Sequence, residues 1–279
     1  MSEDLEVPEP TPDPAPDAAP EVVPEVVPEI IAAAEPEPEP DITPELKRRS
    51  RRGFLTLGAG AIAAVAGWKW LGSRPPIDGV SWPLRRTLEN NEALARAYFS
   101  KARLSPRFRP SDITRVRLNG RIGLTAPLDL DAWRLRIEGA AAPVSLTLDD
   151  IKALPRQQMI TELRCIEGWS IIVQWTGARL ADLLAKYPPA HDPRYIALET
   201  PDRGYYVGLD LASAMHPQTL LAYEINGQPL PLLHGAPLRL AIPVKYGIKN
   251  IKRIGVIRYT DVRPADFWAE RGYDWYAGH

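Results

Sequence analysis

A mixed α+β body is predicted for this chain of 279 residues on three observations. Beyond residue 110, short stretches alternate apolar and polar side chains, the two-residue period of half-buried strands. Helix-compatible stretches are few and short, and they fall among the strands without regular βαβ order. The composition is that of a globular protein, 45% hydrophobic and 25% charged. It excludes a wholly disordered, collagenous or polytopic membrane chain.

The elements follow in order. Leu88 to Leu104 has helical spacing and stops before Ser105-Pro106. Residues 112–124 alternate around Asn119-Gly120 and read as strand, turn, strand. Trp133 to Gly139 is a half-buried strand. Leu148 to Leu154 is a short helix, with Asp149 and Asp150 where the helix dipole favours carboxylates, and Pro155 follows it. Met159 to Ile166 and Ser170 to Trp175 are strands. Thr176 to Tyr187 is an amphipathic helix with Leu180, Leu183 and Leu184 on one face. Tyr195 to Thr200 and Tyr205 to Leu209 are strands around the turn Pro201 to Gly204, and Leu209 to Met215 is a helical turn. Leu220 to Ile225 is a strand that turns at Asn226-Gly227; Leu238 to Pro243 and Ile254 to Tyr259 are buried strands.

A net charge of −1 conceals two unlike parts. Residues 1–46 hold 12 of the 30 prolines and 14 of the 35 Asp/Glu, with no Lys or Arg, so residues 47–279 carry +13. In the first part, proline removes backbone donors, the carboxylates repel, and little apolar surface offsets chain entropy. An extended, disordered acidic arm is expected over 1–46. Its VVPE-VVPE echo is low complexity rather than a packing repeat. Residues 47–72 contain Ser50-Arg51-Arg52-Gly53-Phe54-Leu55, then an uncharged Ala/Gly-rich run from Leu57 to Gly67. This resembles a twin-arginine export signal, which implies passage of a folded, cofactor-loaded protein through the twin-arginine machinery to a bacterial periplasm. Ala64-Val65-Ala66 has the form of a cleavage site. The apolar stretch 54–67 is shorter than the ~20 residues that span a bilayer. Trp68, Trp70 and Leu71 lengthen it, so an uncleaved anchor in the inner membrane is the alternative. Residues 73–110 read as a linker and N-terminal helix, and 111–279 as the functional domain.

Cys165 is the single cysteine, so the fold rests on its apolar core without an intrachain disulfide. No C-x-x-C-H haem motif, zinc spacing, phosphate-binding glycine loop or serine nucleophile elbow is present in the body, and nothing points to nucleic acid. Cys165 ends a strand and enters a glycine-containing turn, Arg164-Cys165-Ile166-Glu167-Gly168-Trp169. Such a turn presents a side chain to a cleft, and a neighbouring arginine favours thiolate, a soft ligand for a redox metal. The other reading is a buried, inert cysteine.

The wording around Cys165 bears on that choice. Leu163 to Ser170, then Trp175-Thr176-Gly177 and Leu180 to Leu184, resembles the molybdopterin-binding domain of the sulfite oxidase family. Further matches follow: Ala214-Met215-His216-Pro217 with Thr219-Leu220; Asn226-Gly227 with Leu230-Pro231; His234 to Arg239; and Pro243 to Lys252. Within that family the pattern is most similar to periplasmic methionine sulfoxide reductase catalytic subunits, over about residues 115–263.

The resemblance implies a sulfite-oxidase-type α+β fold and one molybdenum on a molybdopterin, with Cys165 as protein ligand to the metal. It implies two-electron oxygen-atom transfer to or from a small oxo-acceptor or oxo-donor, with the protein binding, orienting and tuning the cofactor. Arg239 matches an arginine on the pterin phosphate, which a guanidinium fork suits. His234 matches a histidine donor to the cofactor, and Asn250, Ile251 and Lys252 a segment that holds the pterin tail. Thr200 matches a threonine near the cofactor. Asn119 matches an early asparagine ligand or is an ordinary turn residue. Glu167, two residues after the ligand, handles protons or serves as a structural hydrogen-bond partner. Lys245, Tyr246 and Lys249 are expected to line a polar substrate mouth, and the stretch from Phe267-Trp268 to Trp275-Tyr276 to cap the cleft or pack on the body.

With no haem or flavin motif, the chain needs an external electron partner, a membrane haem subunit or a soluble cytochrome c. The body, +8 once residues 1–66 are set aside, favours an acidic one. Reduction of a sulfoxide or another S- or N-oxide leads. A sulfite dehydrogenase and a metal-free, membrane-tethered binding module are the alternatives. The chain departs from the reductase pattern early, where Arg117-Leu118-Asn119-Gly120-Arg121 replaces an aromatic segment.

Overall fold

The computed structural model describes residues 43–77 and 79–279. The acidic arm expected over 1–46 therefore lies outside the described residues, except for its last four positions. These open a 30-residue helix, α1, Thr43–Gly72. Pro44 sits in its first turn, where a missing N–H costs nothing, and the next proline is Pro75. None of its residues is buried, and it is long and apolar enough to cross a membrane. The 54–67 stretch is thus the middle of a longer helix of about 45 Å at the usual helical rise. The chain divides into two units at Ala59/Gly60, inside α1, and both sheets and the shorter helices belong to the second.

Helix α2 spans Trp82–Tyr98, six residues earlier than the apolar spacing predicts. Pro83 fits its first turn, and the chain is already extended at Phe99. The helix is held by charge rather than by an apolar seam. Glu92 accepts from Arg96 at 2.9 Å and from Arg263 at 2.7 Å, and Arg96 reaches Asp210 at 2.7 Å. The carboxylates of Glu92 and Asp210 are largely shielded from water, whereas Arg96 and Arg263 are partly exposed, so these pairs fall between surface and buried strength.

The body carries two five-stranded sheets. The first is built from β1 (Leu135–Glu138), β2 (Val144–Leu146), β5 (Tyr195–Glu199), β6 (Tyr206–Asp210) and β10 (Val256–Thr260). Its order is β2-β1-β10-β5-β6, with β1 and β10 parallel and the other pairs antiparallel. The second is built from β3 (Arg156–Arg164), β4 (Ser170–Arg179), β7 (Leu220–Ile225), β8 (Gln228–Pro229) and β9 (Arg239–Ala241). Its order is β3-β4-β7-β8, and β9 pairs with β7. Short helices α3 (Leu148–Lys152), α4 (Leu180–Lys186) and α5 (Leu211–Ala214) lie between strands. Thr147 caps α3, accepting from Asp150 N–H, while the Asp150 carboxylate returns to Thr147 N–H.

Besides α2, two further elements differ from the sequence reading. Thr176 to Arg179 continue β4, and the helix starts only at Leu180. Gly177 explains this: β7 passes so close that a Cβ there would lie 2.1 Å from the Leu221 carbonyl. Residues 112–124 form no hairpin. They run as an extended strap without a regular partner strand. Phe108 N–H donates to Ile160 O at 3.0 Å, and Thr114 N–H to Ile172 O at 2.9 Å, so the strap satisfies its backbone on the edges of β3 and β4.

The larger core gathers Leu135, Ile137, Ile151, Leu180, Leu183, Ile196, Leu198, Leu240 and Ile257, all fully or almost fully buried. A second core of Met159, Ile171, Val173, Trp175 and Ile225 lies on the β3–β4–β7 sheet under Val116 of the strap. The alternating burial of β3 and β4 thus produces one packed face, and the cleft opens beside it.

Candidate functional site

Strand β3 ends at Arg164, and the chain turns through Cys165 to Trp169 into β4. Cys165 N–H donates to Trp169 O at 2.9 Å, Gly168 N–H donates to Cys165 O at 3.2 Å, and Gly168 takes a φ of 85° that glycine accepts without strain. This turn sets Cys165 in the wall of a cleft lined by both apolar and polar side chains. Asn119, carried in by the strap, donates from Nδ2 to Cys165 Sγ at 3.5 Å. Burial, first of all, pushes the Cys165 thiol up from its ordinary range. The expected help from Arg164 is absent, because that guanidinium pairs with Glu162 at 2.7 Å. A bound metal cation would supply what Arg164 does not, since coordination deprotonates a thiol.

Arg239 opens β9 and is only 4% exposed. Its ring neighbour is Trp175, 4.6 Å from the guanidinium carbon. Its nitrogens donate to the carbonyls of His234 at 3.0 Å and Asn250 at 3.3 Å, and no carboxylate pairs with it among the described residues. Burial brings its pKa down to about 10. A buried guanidinium without a counter-charge is costly unless an anion completes it.

His234 and Lys252 stand beside it in the cleft. Gly235, at φ 104°, brings the two together: a Cβ there would meet Lys252 Cβ at 2.8 Å. Burial, then Arg239 and Lys252, hold the His234 imidazole below its ordinary range, so it faces the cleft neutral. Lys252 Nζ donates to the Asn119 carbonyl and to that of Gly120 at 3.0 Å, which ties the strap to the second wall. Asn250 Oδ1 accepts from Ile242 N–H at 2.9 Å and keeps its segment against β9.

Cys165, Glu167, Asn119, His234, Arg239, Asn250 and Lys252 therefore line one cleft. Thr200 and Ile251 do not. The Thr200 hydroxyl donates to Asp202 at 2.6 Å and accepts from Tyr205 N–H at 3.1 Å, closing the turn after β5. Ile251 is fully buried in the larger core, and its carbonyl accepts from Leu240 N–H at 2.9 Å. Glu167 accepts from Trp169 Nε1 at 2.8 Å, which orients the indole at the mouth.

The lysines expected at a substrate mouth are elsewhere. Lys245 is 2% exposed, over the Tyr276 ring at 2.7 Å. Lys249 is fully buried against Asp266 at 2.5 Å. Tyr246 alone of that trio borders open space near Cys165. The aromatic C-terminus divides its roles. Trp268 and Tyr273 line the cleft, whereas Trp275 and Tyr276 pack in a small core with Ala269.

Sequence reasoning missed Arg117, stacked over Trp169 at 4.6 Å, and the cleft wall made by Tyr205. Unpatterned aromatics carry no signal for a cleft until distant elements meet. The donor set suits a molybdopterin: one sulfur for a soft metal, aromatic faces for a planar ring system, and an uncompensated buried cation for a phosphate.

Lys252 yields a test of this electrostatic reading. Burial first, then Arg239, lowers its pKa to about 8. A lysine depressed in the folded state penalises folding fully below pH 8, and the penalty fades as pH rises towards the unfolded value near 10.4. Cofactor-free protein is expected to gain stability from pH 8 to 10, and Lys252→Met to lose that gain. Denaturant titrations across this window check it; equal slopes in the two proteins would refute it.

Comparison with known proteins agrees with the geometry. Residues 123–268 match the family described as oxidoreductase molybdopterin binding domain. The chain is 35% identical over 184 residues to a protein provisionally named protein-methionine-sulfoxide reductase subunit YedZ1 from Azospira oryzae, covering 64% of this chain and 70% of that protein. It is 39% identical over 157 residues to the protein-methionine-sulfoxide reductase catalytic subunit MsrP of Xanthomonas campestris pv. campestris, covering 50% of this chain and 49% of that protein. MsrP of Ralstonia nicotianae is 38% identical over 152 residues, 49% of this chain and 46% of that protein. The chain thus spans about half the length of these catalytic subunits. The crystal structure of the sulfane dehydrogenase SoxCD from Paracoccus pantotrophus superposes with a TM-score of 0.46 at 20% identity, covering 50% of this chain and 40% of that one. By the family match over half its length, and by the residues gathered around Cys165, this chain belongs to the molybdopterin-binding oxidoreductases.

Proposed function

We propose that the chain reduces a sulfoxide to a thioether, taking up two electrons and two protons and releasing water. The observation that carries this reading is the placing of Cys165 and Arg239 in one cleft, together with 35–39% identity to proteins named as methionine sulfoxide reductase subunits. Bound molybdopterin supplies the two-electron oxygen-atom chemistry at its metal. Cys165 would hold the metal, and Arg239 the phosphate of the pterin, with Asn250 and Lys252 along its tail. His234 offers a neutral donor to the ring. Trp169, Trp175 and Trp268 keep water from the ring faces, and Glu167 holds or delivers a proton at its carboxylate.

The electrons come from a separate protein, a membrane haem subunit or a soluble cytochrome. Export by the twin-arginine route to the periplasm follows from Ser50 to Leu55, and α1 supports an uncleaved anchor in the inner membrane. Protein recovered from the envelope membrane fraction is expected to carry molybdenum and to oxidise reduced benzyl viologen when methionine sulfoxide is added. Molybdenum-loaded protein that instead reduced ferricyanide with sulfite, and left the sulfoxide untouched, would reverse the assigned direction.

A further inference from the structure

The strap that brings Asn119 to the cleft has a second property. Taken with the chain that leads into it, from Lys101 to Arg121, it carries seven Lys/Arg and one carboxylate, Asp112. All seven cations are exposed. Asp112 is taken by Arg109 at 3.2 Å, and the other six meet no carboxylate among the described residues. Elsewhere Arg86, Arg156, Arg164, Arg258 and Arg263 each face a carboxylate within 3.1 Å, while Arg134, Arg136, Arg194 and Arg203 meet none among the described residues; what sets this segment apart is six such cations along one stretch of chain.

The row is also held rigidly. Ser105 N–H donates to Gln218 at 2.7 Å, Phe108 N–H to Ile160 O at 3.0 Å, and Thr114 N–H to Ile172 O at 2.9 Å. Exposed Leu104 and Leu118 are interleaved with the charges. Like charges fixed in a row repel one another, and an acidic surface laid on them relieves that repulsion and steers encounter. The row ends at the cleft, where Arg117 covers Trp169 and Asn119 reaches Cys165.

Resting on the reading of the chain as a reductase fed by another protein, we propose that the segment 101–121 is the docking face for an acidic electron-donor protein. A donor seated there lies against the cleft mouth. Its reduced flavin or haem loses one electron per encounter, so two encounters supply the pair that one sulfoxide consumes, and solvent supplies the protons. A bilayer on this face would close the mouth to a water-borne substrate, which favours a partner that docks and leaves.

The test uses the molybdenum-loaded full chain, methionine sulfoxide, and two donors: reduced benzyl viologen and reduced flavodoxin, a small acidic flavoprotein. Arg103→Glu/Arg107→Glu/Arg115→Glu is expected to lower kcat/KM for flavodoxin at least about tenfold and to flatten its salt dependence. Turnover with viologen stays unchanged, which also shows that the variant is folded. Equal flavodoxin kinetics in the two proteins, or a wild-type enzyme that flavodoxin fails to reduce, would overturn the proposal. So would a variant that loses only its sedimentation with phosphatidylglycerol vesicles, which would make the strap a membrane face. Absence of viologen-driven turnover in the wild type would strike the reductase reading itself.

Discussion

Cys165→Ser is expected to leave the protein folded and to remove both its molybdenum and its turnover. Cys165 lies at the cleft wall, outside the two large apolar clusters, and the turn around it is held by the backbone bonds to Trp169 and Gly168. Serine preserves those bonds and still offers Asn119 an acceptor, so stability should change by no more than about 1 kcal/mol. The chemistry changes far more. A thiolate is soft and ionises on coordination, whereas a serine hydroxyl is hard and stays protonated. Loss of an outer partner around a metal typically costs about 10–100-fold in affinity or activity, and loss of the ligand atom itself should exceed that range. Molybdenum per chain, thermal melting and viologen-driven sulfoxide reduction measured on one preparation separate the terms. A serine variant that kept its metal and its rate would remove Cys165 from the centre of the site.

The strands around this cysteine were legible because each buries one face. Met159 and Thr161 in β3, and Ile171, Val173 and Trp175 in β4, mark a two-residue period that tertiary context does not override. The strap was misread for a physical reason. Asn119-Gly120 has the composition of a two-residue hairpin turn, and Gly120 does take a positive φ of 59°, but the leading arm bonds through Thr114 to Ile172 of β4 instead of to the trailing arm. The helix read from Thr176 failed for a related reason: Leu180, Leu183 and Leu184 do share a helical face, yet the close approach of β7 at Gly177 holds the chain in the sheet as far as Arg179. In the site, Arg239, His234 and Lys252 were legible only through the family resemblance, and the fold brings all three to the cleft. The burial of Lys245 and Lys249 was not legible. Lone lysines are normally solvated, and what buries these two, the Tyr276 ring and the Asp266 carboxylate, lies 31 and 17 residues further along the chain.

Lys249→Met is expected to cost about 3–5 kcal/mol of stability, the usual loss when one member of a buried ion pair is removed. That is a large share of the roughly 5–15 kcal/mol that holds a domain folded. Lys249 is fully buried, 2.5 Å from Asp266 Oδ2, and donates also to Gly208 O at 2.9 Å. Burial draws its pKa down while Asp266 first, and Asp274 after it, oppose the shift, so the ammonium depends chiefly on the carboxylate it touches. Asp266 does more than balance charge. Its oxygens accept from Gly208 N–H at 3.1 Å and from Trp268 and Ala269 N–H at 3.2 Å. Lys249 closes the turn that leads to Asn250, and Trp268 is a wall of the cleft, so the pair joins two sides of the cofactor site. Removing the charge from both partners tests this division of labour. Lys249→Met/Asp266→Asn retains one acceptor oxygen for the backbone donors and no longer strands a buried anion, so it should recover part of the loss. Asp266→Ala should fall at least as far as Lys249→Met, because it strands an ammonium and three N–H groups at once. Urea denaturation of the three variants, with molybdenum content measured beside it, decides the matter. A Lys249→Met loss below about 1 kcal/mol would place the pair among interactions of surface strength and detach it from the assembly of the cleft.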